Sequence, residues 1–122
     1  MEDEANFEVL KSKISFGTKY WLEFENKSIM GKGWEKLLQR IKINEDGSLT
    51  KAAKECLYSY KYAWNILRRI EKRTGHPVVV ASKGGRGGGG WVKLNKWGAY
   101  LLETYNNYHK EIEKIRKRPI NT

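Results

Sequence analysis

The sequence predicts an α+β fold, mainly α, on three observations. Apolar residues alternate over 18–24, the period of a strand. From Trp34 onward they recur every three to four residues in separate segments, the period of a helix face. Two short apolar runs, 78–80 and 91–94, flank a loop with six glycines and read as a second pair of strands.

The elements follow in order. Tyr20, Leu22 and Phe24 share one face of the first strand, with Lys19, Trp21 and Glu23 on the other. Glu25-Asn26-Lys27 is a turn, and Ser28 to Met30 returns as a short partner strand. Trp34, Leu37, Leu38 and Ile41 are spaced for one face of a helix that ends near Asn44, where Asp46-Gly47 breaks the chain. Ser48 is a helix N-cap, and Leu49, Ala52 and Ala53 give a short helix with a small-residue face. Cys56-Leu57-Tyr58 is a turn. Ser59 caps a third helix, Tyr60 to Thr74, stopped by Gly75 with Pro77 shortly after. Val78 to Val80 and Trp91 to Leu94 form a hairpin, and Asn95 caps a last helix running to about Arg116.

A short helix, a tight turn and a longer helix make a helix-turn-helix, about 48–74. The hairpin that follows, about 78–94, is a wing. The sequence thus predicts one winged helix-turn-helix domain over 1–122, with an N-terminal β-hairpin and a long C-terminal helix, about 95–116.

Composition narrows the function. The 122 residues carry a formal charge of +10. Residues 51–86 hold 9 Lys/Arg against 2 Asp/Glu, whereas residues 1–50 hold 8 against 9. A basic excess concentrated in the middle of the chain favours a polyanion partner over a general solubility charge. No apolar run approaches the roughly 18 residues a membrane span needs, so no membrane partner is expected. The acidic start, Met1 to Asn6, has no apolar signal-peptide core. Cys56 is the only cysteine, so a reducing, cytoplasmic location is expected. His76 and His109 lie far apart without a ligand pattern, so no metal or cofactor is expected. No catalytic constellation of paired carboxylates, Ser/His/Asp or Cys/His is visible, so the reading is not an enzyme.

The second helix of such a motif normally lies in the major groove. Here Ala63, Ile66, Leu67 and Ile70 form an inward stripe. Lys61, Asn65, Arg68 and Lys72 fall at helical spacing on another face, with Tyr62 and Arg69 beside them. Arg and Lys suit guanine edges and Asn suits adenine. The N-terminal residues Tyr60, Lys61, Tyr62 and Asn65 reach deepest, although Tyr60 also reads as a packing residue with Trp64. Ser59 at the cap, and Ser48, Thr50 and Lys51 at the start of the short helix, complete the helix-turn-helix candidates for DNA contact. The competing reading is a merely solvated face.

Gly85 to Gly90 formally matches G-x-G-x-x-G, but a dinucleotide site needs that loop to open a helix, and here it opens a strand. A glycine-rich tip carrying Lys83 and Arg86 suits close approach to phosphates or a minor groove. On the last helix, Leu101, Tyr105, Tyr108, Ile112 and Ile115 alternate by four and three, which points to a partner helix in a homodimer. Packing back within one chain is the alternative.

The stretches GTKYWLEF (17–24), GSLTKAAKE (47–55), SYKYAW (59–64), TGHPVVV (74–80) and GGRGGGGWVKLNKWGAYLL (84–102) resemble the N-terminal winged-helix domain of ModE-type molybdate-responsive regulators, itself similar to the LysR-type DNA-binding domain. The resemblance implies a dimeric DNA-binding domain with its recognition helix at 59–74, its wing at 81–91 and a last helix that contributes to dimerisation. Where the family's turn usually carries glycine this chain has Cys56, which implies a left-handed, non-glycine residue there. Asn95 stands where the family often has Thr, and both cap helices. The sequence ends at Thr122 without the family's oxyanion-binding domain, so no molybdate binding is expected. The expected function is sequence-specific binding of double-stranded DNA in transcription regulation. The alternatives are a non-specific nucleoid or architectural protein, an RNA-binding use of the same basic surface, and a protein-interaction module.

Overall fold

The computed structural model describes residues 4–82 and 91–120. Five helices and four strands follow one another: α1 (Glu4–Ser12), β1 (Leu22–Phe24), β2 (Lys27–Met30), α2 (Lys32–Ile43), α3 (Leu49–Glu55), α4 (Tyr60–Thr74), β3 (Val79–Ser82), β4 (Trp91–Leu94) and α5 (Lys96–Arg116). The strands form two separate antiparallel pairs, β1–β2 and β3–β4.

Helix α2 is the centre of the assembly and packs against α3, α5, β4 and β2. Its Leu37, Leu38 and Ile41 are buried, as their spacing predicts. Ala52 and Ala53 of α3 are buried too, and their lack of bulk lets α3 lie close to both α2 and α4. Ala63, Ile66, Leu67 and Ile70 of α4 close the core from below. Burying a side chain such as Ile66 or Ile70 contributes about 1.5–3 kcal/mol. Arg40 of α2 pairs with Glu55 of α3 at 3.6 Å, and Asn44 donates to the same carboxylate at 3.4 Å.

The helix starts behave as the sequence predicts. Ser48 Oγ accepts from Lys51 N at 3.1 Å, Ser59 Oγ from Tyr62 N at 3.0 Å and Asn95 Oδ1 from Gly98 N at 2.8 Å. Gly75 ends α4 in the left-handed conformation, φ 82°.

Five features differ from the sequence-based expectation. First, α1 is a helix that the sequence pattern does not announce. Second, β1 is only Leu22–Phe24. Tyr20 leaves the ladder to stack on Tyr105 of α5, ring centroids 5.4 Å apart, and its hydroxyl hydrogen-bonds His109. Third, the hairpin turn is Glu25-Asn26 alone, both at positive φ, the two-residue geometry that matches strand twist. Fourth, the third strand is Val79–Ser82 rather than Val78–Val80, because Val78 is buried beneath α5. Fifth, the left-handed residue in the turn between α3 and α4 is Leu57, φ 62°, not Cys56. Cys56 keeps a right-handed conformation with its side chain buried, and Leu57, 91% exposed, carries the strain. A β-carbon in that conformation costs about 1–2 kcal/mol.

The apolar stripe of α5 is divided. Leu101 and Tyr105 are 4% and 3% exposed and belong to the core of this chain. Tyr108 and Ile115 are exposed and Ile112 is half-buried. Among the described residues, no helix is long and apolar enough to cross a membrane.

Candidate nucleic-acid interface

Because the core claims one side of α4, the opposite side is free for chemistry. Lys61, Asn65, Arg68 and Lys72 recur at i, i+4, i+7 and i+11, which places them along one line of the helix. All four are exposed. None of the three cations has an ion-pair partner among the described residues. Arg68 lies over the Trp64 ring, 5.5 Å from its centroid, and Tyr60 meets Trp64 edge-on at 6.4 Å. Tyr60 therefore packs on one flank of the stripe while remaining half in solvent.

The other flank of α4 holds Tyr62, Arg69 and Arg73. Arg69 and Arg73 both lie over the Trp34 ring of α2, at 5.9 and 5.7 Å. Arg73 also donates to the Ser28 carbonyl at 2.5 Å. Tyr62 meets Tyr58 edge-on at 4.9 Å, and Tyr58 donates its hydroxyl proton to the Gly33 carbonyl at 3.0 Å. The sequence reading did not assign Arg73, Trp34 or Tyr58 to the interface: it placed Trp34 on a helix face and Tyr58 in a turn. The i, i+4 repeat of Arg69 and Arg73 is the signal that was available.

Thr50 and Lys51 are exposed at the start of α3, the helix that packs against α4. Ser48 and Ser59 use their hydroxyl oxygens as helix caps, so their first role is to fix where α3 and α4 begin.

The β3–β4 hairpin is fastened to this unit at its base. Val92 N donates to the Gly47 carbonyl at 2.9 Å, and Lys93 Nζ reaches the Glu45 carbonyl. Gly47 has φ 73°, and a β-carbon there would stand 2.7 Å from Trp91 Cβ. The turn that starts α3 and the root of the hairpin thus share one contact. Lys83 and Arg86, the candidate contacts at the hairpin tip, lie outside the described residues.

Burial pushes the Cys56 thiol up from its ordinary pKa, which disfavours the thiolate a nucleophile needs. Among the described residues, no group of three or more His, Cys, Asp or Glu is placed to hold a metal ion.

Comparison with known proteins points to one class, regulators of transcription, together with molybdenum-related proteins. The chain is 36% identical over 70 residues to the DNA-binding transcriptional dual regulator ModE of Escherichia coli K12, covering 57% of this chain and 26% of that protein. It is 34% identical over 83 residues to the molybdenum-pterin-binding protein MopB of Rhodobacter capsulatus, covering 68% of this chain and 30% of that protein. It is 31% identical over 80 residues to the molybdenum transport protein ModE of Azotobacter vinelandii, covering 29% of that protein. The chain spans less than a third of the length of these relatives. No protein-family model matches it.

Proposed function

We propose that this chain is a DNA-binding transcriptional regulator, not an enzyme. In this reading residues 1–122 form a single winged helix-turn-helix domain. Helices α3 and α4 are its helix-turn-helix, β3–β4 its wing, and α4 enters the major groove of double-stranded DNA. The observation that carries the reading is the unpaired cationic line Lys61, Arg68 and Lys72, with Asn65 within it, directly opposite the buried face of α4. Cations along an exposed helix match phosphates and guanine edges, and the amide of Asn65 matches adenine. The regulators to which the chain is similar support the same reading.

The protein works as a homodimer in the cytoplasm. Phe7, Leu10, Ile14 and Phe16 near the N-terminus, and Tyr108, Ile115 and Ile120 near the C-terminus, are exposed large apolar side chains. Segments 11–16 and 116–120 line one shared cleft. A second copy is the occupant that removes this surface from water and brings two α4 helices to one operator.

Selection of bound duplexes from a random DNA pool tests the function. The expected outcome is a motif with two-fold symmetry, with half-sites about one helical turn apart or a multiple of it. Binding without enrichment contradicts sequence-specific readout and favours a protein that coats DNA.

A further inference from the structure

The flank of α4 that carries Arg69 and Arg73 opens into a surface groove of about 400 Å³ between α4, the start of α2 and β2. Two arginines and four aromatic rings line it, and no carboxylate does. Neither Arg69 nor Arg73 has an ion-pair partner among the described residues. Both guanidinium groups are nevertheless held in place. Each lies over Trp34, and Arg73 is fixed further by its hydrogen bond to Ser28. Gly33 contributes to the shape, since a β-carbon there would stand 2.9 Å from the Tyr58 hydroxyl. The groove therefore offers two preorganised planar donors with uncompensated charge, the arrangement that suits an oxyanion best.

The position of the groove selects the oxyanion. Arg69 follows Arg68 by one residue, a rotation of about 100° around the helix. Arg68 belongs to the line opposite the core, so Arg69 points sideways from it. A helix of about 10–12 Å diameter fills a major groove about 12 Å wide. Side chains opposite the core then face the base edges, and side chains on the flank face the phosphate wall. Tyr62 stands on the same flank, with its ring edge-on to Tyr58 of the preceding turn.

We infer that Arg69 and Arg73, braced on Trp34 and with Tyr62 lining the same groove, form a seat for the DNA backbone phosphates along one wall of the major groove. The seat fixes how far α4 is rotated in the groove, so that Lys61 and Asn65 meet base edges. Tyr62 and Arg69 are thereby separated from the base-reading residues. The inference rests on the proposed function, and its test distinguishes the two.

The test measures affinity of the whole protein for a random-sequence duplex by fluorescence anisotropy over a salt series. R69Q/R73Q, checked for folding by circular dichroism, should make the log–log salt slope shallower by about 2 per chain, because about 0.9 counterion is released per phosphate neutralised. R69K/R73K keeps both charges and should keep the slope. A slope near zero for the unmodified protein overturns the proposed function itself. A steep slope that R69Q/R73Q leaves unchanged overturns the phosphate seat alone. Nuclear magnetic resonance of the unmodified protein decides independently of any variant's stability. The Trp34 indole N–H resonance, assigned with W34F, should shift when the duplex is added. A Trp34 signal that stays fixed while the amides of Lys61 and Asn65 move overturns the seat.

Discussion

A β-carbon on Gly98 would stand 2.1 Å from the carbonyl oxygen of Val78. That closeness is how α5 is docked on the segment that leads into β3. Asn95 N donates to the same Val78 carbonyl at 3.0 Å, and Asn95 Nδ2 donates to the Pro77 carbonyl at 2.7 Å. G98A should therefore destabilise the protein by roughly 1–3 kcal/mol or more through overpacking against backbone. In a helix free of that contact the same change stabilises by about 1 kcal/mol. The sign of the change in thermal midpoint decides, and a rise would show that α5 is not seated there.

Gly47 and Gly75 separate conformational strain from contact. Both have positive φ, but a β-carbon on Gly75 meets nothing within 4 Å, whereas on Gly47 it meets Trp91 at 2.7 Å. Urea denaturation should give about 1–2 kcal/mol of destabilisation for G75A. G47A should cost that and roughly 1–3 kcal/mol more. Equal costs would mean that the hairpin root does not rest on the α3 turn.

Base readout is proposed for the N-terminal part of α4, where Lys61 and Asn65 are exposed. K61A and N65A should each relax base preference, at a cost of roughly 1–3 kcal/mol for the preferred site. K83A and R86A, in the proposed wing, should weaken binding to all sequences more evenly. Competition with preferred and scrambled duplexes measures both, and a changed base preference in the wing variants alone would reverse the assignment.

The proposed homodimer would use the distal part of α5. Leu101 and Tyr105 are core residues of the single chain, so the stripe left for a partner is Tyr108, Ile112 and Ile115. Y108D/I112D should leave a folded monomer that binds DNA weakly. Light scattering of the unmodified protein is the direct measurement, and a monomer at micromolar concentration, with and without DNA, would contradict the dimer.

The parts of this fold that local chemistry determines were legible in the sequence. Ser48, Ser59 and Asn95 cap helices because each oxygen reaches an amide three residues on, and Gly75 ends α4 because glycine tolerates the left-handed turn. What depends on partners distant in sequence was not. Helix α1 is hidden because Phe7, Val9 and Leu10 are exposed, so no core-facing stripe marks it. The α5 periodicity is continuous, but it cannot say that packing within the chain stops after Tyr105. In the α3–α4 turn, composition locates the break, while burial of the Cys56 side chain moves the left-handed conformation on to Leu57. In the candidate interface the line Lys61, Asn65, Arg68 and Lys72 follows from helical spacing alone. The Trp34 platform under Arg69 and Arg73 does not, because only tertiary packing brings α2 beside that flank.

The central claim, that the basic middle of this chain binds DNA, is tested most directly by the salt dependence of its affinity for duplex DNA. Residues 51–86 carry 9 Lys/Arg against 2 Asp/Glu. About 6–10 phosphate contacts per dimer are then expected, with a log–log slope on the order of −5 to −9. That slope is the predicted result, and a slope near zero would contradict the account.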